Sequence, residues 1–249
     1  MTSIHLLMAQ INTQVGDFDG NASRVLDIVE KASSRFSKPL VVFPELTLSG
    51  YPPEDLLLRP GVSLIVEEYL SRLCFDLPPE AWVFVGYPRA TENGLYNAMG
   101  VLHDGEIVAE YFKQELPNYQ VFDEKRYFKS GANEACIVLV EGIPVGLSIC
   151  EDIWNPKPIE RAVLNGAKLL ININSSPFHV GKQQERRSLL SMRAKDSKVP
   201  IVYVNQIGGQ DELVFDGGSL IVDADGEVSA TAPEFEESST WANINFSSN

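Results

Sequence analysis

The chain is 249 residues long, 44% hydrophobic and 22% charged, a balance that suits one large globular domain (1-249) and excludes a disordered or fibrous protein. Its formal net charge of -14 repels phosphate backbones and anionic lipid, so small molecules or protein partners are expected, and no nucleic acid or membrane. No stretch approaches the ~18 uninterrupted apolar residues of a membrane span, and "MTSIHLLMAQINTQVGDFDG" carries no basic leader, so a cytoplasmic location is expected.

Residues 4 to 11, IHLLMAQI, read as a buried strand, and Asn21 reads as the cap of a helix in which Val25, Ile28, Val29 and Ala32 share a face. "PLVVFPE" from Pro39 is a second strand, "LTLSGYPPEDLLLRPG" a loop, Val62 to Leu73 a helix and "WVFVGYP" a third strand, which makes β-α-β-α-β. The alternation in "LYNAMGVLHDGEIVAEYFK" predicts a hairpin turning at Asp104-Gly105. A second hairpin turns at Glu141-Gly142 and feeds the apolar strand that ends on Cys150. Asn155 caps a helix with Pro156 at its first position and Gly166 near its end. The strand "AKLLININ", a charged helix from Lys182 to Lys198, the strand "PIVYVNQIG" and a hairpin at Asp225-Gly226 follow. The closing "APEFEESSTWANINFSSN" reads as a departure from the compact body. By this pattern alone, a mixed sheet is covered on one side by helices, and its other face needs cover too.

Three cysteines without a CxxC pair favour neither a metal site nor a disulfide framework. Cys74 and Cys136 sit in apolar stretches and read as small hydrophobes. Cys150 ends a strand just before Glu151 and Asp152, where it is either another packed thiol or a side chain presented at the rim of the sheet. Glu45 closes "LVVFPEL", either as a turn acid facing water or as a site carboxylate, because an acid ending a buried strand is costly to desolvate without a partner. Lys113 ends "IVAEYFK", a position that is usually solvated. Together the three supply an acid, a cation and a soft nucleophile at strand ends, the inventory for covalent catalysis on an amide. Among possible imidazole partners, His5 lies within a strand and His103 beside a turn, which leaves His179 in "NSSPFHVGK". HExxH, GxxxxGK[ST] and GxGxxG are absent from the sequence.

The segments "FPELTLSGYPPEDLLLRP", "FKQELPNYQVFDEKRYF" and "GLSICEDIW" together resemble the glutaminase domain of glutamine-dependent NAD+ synthetases, a branch of the nitrilase superfamily of carbon-nitrogen hydrolases. The resemblance implies an α/β fold of αββα type, two mixed sheets covered by helices, with a Glu-Lys-Cys triad carried over as Glu45, Lys113 and Cys150. It also implies substrate contacts from Tyr119, Ser176 and Lys182, with Ser175 competing with Ser176, and Arg186 or Arg187 competing with Lys182. Glu124 in "FDEKRYF" would be a further site carboxylate or a solvated loop acid. The implied activity is hydrolysis of the glutamine amide through a cysteine thioester, supplying ammonia for NAD+ synthesis. A stand-alone amidase for another small amide or carbamoyl compound is the alternative. No cofactor is implied for that step; ATP and magnesium would belong to a synthetase domain marked by SGGxDS, a signature this sequence lacks, and that domain would act in cis or in trans. Pairing of copies into a homo-oligomer is implied as well. In this scheme Glu45 is the general base, and Lys113 offsets the charge of Glu151 and Asp152 while sharing the oxyanion with the backbone N–H of Glu151.

Overall fold

The computed structural model describes residues 2–119 and 121–246. Strand β1 (Thr2–Gln10) is followed by helix α1 (Phe18–Arg35), β2 (Leu40–Val42), helix α2 (Val62–Asp76) and β3 (Trp82–Thr91), with the three strands parallel and adjacent. β4 (Gly94–His103) and β5 (Glu106–Phe112) extend this sheet by antiparallel hairpins, the second turning at Asp104-Gly105 as predicted. A second sheet starts with the hairpin of β6 (Ile137–Val140) and β7 (Ile143–Ile149), then gains β8 (Leu169–Asn174) and β9 (Ile201–Asn205) in parallel through helices α3 (Pro156–Leu164) and α4 (Lys182–Ser197). β10 (Ile207–Gln210) and β11 (Leu213–Asp216) form a separate ribbon, and β12 (Leu220–Val222) and β13 (Val228–Thr231) complete the second sheet. β14 (Ser238–Phe246) returns to the first sheet, giving the orders β14-β1-β2-β3-β4-β5 and β13-β12-β9-β8-β7-β6.

The layering follows from the period of two in each strand. In β1, Leu6 and Met8 point into a core shared with Leu147, Ile171 and Val202 of the other sheet, whereas Leu7 and Ala9 pack with Val25 and Val29 of α1 and Val66 and Leu70 of α2. On the far side, Ile159 of α3 and Leu190 of α4 pack on Leu170, Ile201 and Leu220. The order is therefore helix, sheet, sheet, helix, and the second sheet supplies the cover that the bare pattern of one mixed sheet was missing. No helix among the described residues is long and apolar enough to cross a membrane.

Three expectations are corrected. Asp17, not Asn21, caps α1, accepting from the N–H of Gly20 at 3.0 Å. Asn21 is buried one turn in, bonded to both backbone groups of Gln14 and to the carbonyl of Leu48, so it fixes an incoming loop. "PIVYVNQIG" is two strands, because the chain leaves the sheet after Asn205. The tail is no appendage: β14 pairs antiparallel with the whole of β1, from Thr2 opposite Phe246 to Gln10 opposite Ser238. Residues 247–249 of that predicted tail lie outside the described residues.

Candidate functional site

Glu45 stands just beyond β2 and Lys113 follows β5, strands that run in the same direction, so both come from the same end of the first sheet. The Pro44–Leu46 segment crosses β3 so closely that a Cβ at Gly86 would lie 2.3 Å from the Leu46 nitrogen, and only glycine permits the crossing. Cys150 and Ser175 follow β7 and β8, adjacent strands of the other sheet. Two back-to-back sheets thus deliver four strand ends to one place. Cys150 opens a short 3-10 turn, Cys150–Ile153, with φ of +45°. Left-handed backbone at a non-glycine residue costs about 1 kcal/mol or more and here turns the side chain out of the strand path.

Lys113 Nζ donates to Glu45 Oε1 at 2.7 Å and to Glu124 Oε1 at 2.8 Å. All three side chains are buried. Asn97 Nδ2 donates to the same Glu45 oxygen at 2.7 Å, the Ser175 N–H to the other at 2.8 Å, and Tyr51 OH to Glu124 at 3.2 Å. Burial alone would lower the Lys113 pKa, but Glu124 and Glu45 overcome it and hold the ammonium well above its ordinary value. Glu124 is raised to about 7, chiefly by burial, with Lys113 opposing and Glu45 adding to the rise. The Cys150 thiol is raised well above its ordinary value by burial and then by Glu45, with Lys113 pulling the other way, so it rests as a thiol.

Cys150, on which Glu45, Lys113 and Glu124 all act by charge, lines a cavity of about 300 Å³ together with Tyr119, Glu151, Ser176, Lys182 and Glu212 among others. The three substrate-contact candidates therefore share one cavity with the thiol. Ser175 is turned away, its hydroxyl donating to the Glu45 carbonyl at 3.0 Å, whereas Ser176 faces the cavity. Arg186 is buried, its Nη1 donating to both Asp216 oxygens at 2.8 and 2.7 Å and its Nη2 to the Ser176 carbonyl and hydroxyl, so it braces the serine and is not among the residues lining the cavity. Arg187 is not among the lining residues. Lys182 Nζ sits 4.1 Å above the Trp154 ring, which aims it. His179 lines the cavity too, but its ring nitrogens face the Val180 carbonyl and, at 3.6 Å, Glu185.

Asp152 has a structural part beyond its charge. Its carboxylate accepts from the N–H groups of Ile149, Gln114 and Glu115 at 2.9, 3.1 and 2.8 Å and from Tyr111 OH at 2.8 Å, clamping the Cys150 turn to the segment after Lys113. Glu151 does press on the thiol as a like charge. Asn97, Tyr51 and the Ser175 N–H went unread in the sequence; an asparagine inside a strand and a tyrosine in a Pro-rich loop give no local sign of a partner across the fold.

A family model described as carbon-nitrogen hydrolase matches residues 8–248. The chain belongs to this family. Among curated relatives, the chain is 46% identical over 240 residues to the glutamine-dependent NAD(+) synthetase of Thermotoga maritima, covering 95% of its own length and 41% of that protein. It is 44% identical over 236 residues to that of Aquifex aeolicus, covering 94% and 41%. Among solved structures, a glutamine-dependent NAD+ synthetase from Acinetobacter baumannii superposes with a TM-score of 0.94 at 36% identity, over 98% of this chain and 46% of that one. An amidase of the nitrilase superfamily from Nesterenkonia shares the fold, with a TM-score of 0.86 at 22% identity over 97% and 90% of the two chains. The chain spans under half the length of the synthetases it matches.

Proposed function

We propose that this domain hydrolyses the side-chain amide of glutamine and hands the ammonia to a synthetase domain, in cis or in trans, for NAD+ formation. One observation carries the reading: a buried Glu45–Lys113–Glu124 cluster acts by charge on a thiol that lines the same cavity as the Tyr119, Ser176 and Lys182 contacts. Likeness to glutamine-dependent NAD+ synthetases over at least 93% of this chain supports glutamine as the substrate.

Because Cys150 rests as a thiol, it needs a base at the moment of attack. Glu45 takes the Sγ proton as sulfur bonds to the amide carbon and the carbonyl electrons move to oxygen. Lys113 and the Glu151 N–H hold that oxyanion; one such donor is worth about a hundredfold in rate. Collapse breaks the C–N bond, and Glu45 returns its proton to the departing ammonia. Glu45 then takes a proton from water as the water oxygen attacks the thioester, and glutamate leaves as the C–S bond breaks and sulfur is reprotonated. Glutamine and water become glutamate and ammonia, with Glu45 and Cys150 restored. These side chains account for every proton without a cofactor; ATP and magnesium would serve the synthetase domain.

The test is Cys150→Ala, in which glutamine hydrolysis and covalent capture of a glutamine-like electrophile should both vanish while the thermal midpoint stays put. Undiminished turnover would falsify the nucleophile assignment, and equal rates on glutamine, asparagine and simple amides would reject glutamine as the substrate. Self-association belongs to the same reading. It is supported by Leu164, 85% exposed, which lines a groove between α3 and α4 with Ile159 and Val163, rimmed by Glu160, Arg193 and Asp196. Leu164→Glu should lower the sedimenting mass, and an unchanged mass would remove that face from the interface.

A further inference from the structure

The side chains charged at neutral pH that line the cavity are Glu151, Lys182 and Glu212. Two have partners within the fold. Glu151 accepts the Tyr119 hydroxyl at 3.0 and 3.1 Å, and Lys182 stands over Trp154 with Glu185 3.6 Å away. Glu212 has no hydrogen bond or ion pair among the described residues.

Its position is nonetheless fixed. Glu212 occupies the two-residue turn between β10 and β11, where Gln210 pairs with Leu213 and Asp211 adopts φ of +51°. The ribbon below is anchored, because Leu213 and Phe215 are buried with Leu46 and Tyr51, and the Val214 carbonyl accepts the Phe178 N–H at 2.7 Å. Leu213 and Val214 line the same cavity. An anchored tight turn holding an unpaired carboxylate over a cavity that also presents an aimed ammonium matches a zwitterion: Lys182 suits a carboxylate, and Glu212 suits an ammonium group.

We propose that Glu212 is a specificity residue that receives the α-ammonium of an α-amino-acid amide and so separates glutamine from amides lacking that group. The proposal rests on the glutaminase reading. An amide without the ammonium leaves Glu212 as it is and gains nothing from it, so discrimination arises as a difference between two affinities.

The experiment measures kcat and KM for glutamine and for glutaramate, which is glutamine without its α-amino group, in the wild type, Glu212→Gln and Glu212→Asp. KM for glutamine should rise about tenfold in Glu212→Gln, the size of effect expected from one partly exposed charge contact, with kcat within about twofold. KM for glutaramate should not change, and Glu212→Asp should recover part of the preference. Equal changes for both substrates, or none for either, would overturn the proposal. A wild type that does not turn over glutamine at all would instead overturn the reading beneath it, a result visible before any variant is made. Glu212 is exposed at a turn, so the thermal midpoints of the variants should match the wild type and exclude loss of fold as the cause.

Discussion

Lys113 is the most constrained residue of the site. A lysine sealed from water is tolerated only because Glu45 and Glu124 each take one of its protons in a hydrogen bond. Lys113→Met keeps the length and loses the charge, leaving two carboxylates face to face. Glutamine turnover should drop by about a hundredfold or more, and stability by about 3 kcal/mol, since breaking a buried pair strands its partners. The double change Lys113→Met with Glu124→Gln removes one stranded charge, so denaturant midpoints should recover while turnover does not. If turnover recovered too, the lysine would be there for folding alone. Of this cluster, Glu45, Lys113 and Cys150 were legible in the sequence because each ends a strand within a distinctive motif. Glu124 was left open, since a loop acid looks the same in sequence whether it meets water or an ammonium.

At the level of elements, the site depends on joining the two sheets at one end, and Asp152 is that joint. Its carboxylate, in the turn after β7, gathers the N–H of the last β7 residue, the Tyr111 phenol of β5 and two N–H groups from the segment after β5. Asp152→Ala would leave several buried donors unpaired, so a loss of about 3–5 kcal/mol is expected, measured by denaturant unfolding. Asp152→Asn keeps the shape and should cost less, yet Cys150 and Lys113 would no longer be held in register, and kcat should fall in both variants. A variant that unfolds early but keeps full kcat once folded would make the clamp a stability device only. The elements themselves were readable where their cause is local, as in the Asp104-Gly105 and Asp225-Gly226 turns and the Asn155 cap. They were not readable where the cause is remote. "SSTWANINF" is polar at many positions and becomes a strand because β1, at the opposite end of the chain, offers it a full ladder.

Over the whole molecule, the αββα packing that brings these strand ends together also seals acids in its interior, and this has a consequence for stability against pH. Burial raises Glu124 to about 7 from an ordinary 4.5, and raises Asp152 to about 6 from 3.8, with hydrogen bonds opposing in both. A carboxyl whose pKa is higher in the folded protein binds its proton more tightly there. Its contribution to stability is fully present below the unfolded pKa and is lost as pH rises through the folded one. For Glu124 that window runs from about 4.5 to about 7. Glu141 and Glu237 are lowered and slope the other way at acid pH, so the wild-type curve alone mixes the two signs. The difference between wild type and Glu124→Gln separates them, because only the titration of Glu124 is removed. Unfolding free energies measured from pH 5 to pH 8 should shift steadily in favour of the glutamine variant as pH rises, by on the order of 3 kcal/mol across the window. Losing the charge-assisted bond to Lys113 displaces the whole difference curve without changing its slope. A flat difference, or one that turns against the variant as pH rises, would mean that Glu124 keeps an ordinary acidity, and the account of Lys113 as a cation held between two buried carboxyl groups would have to be redrawn.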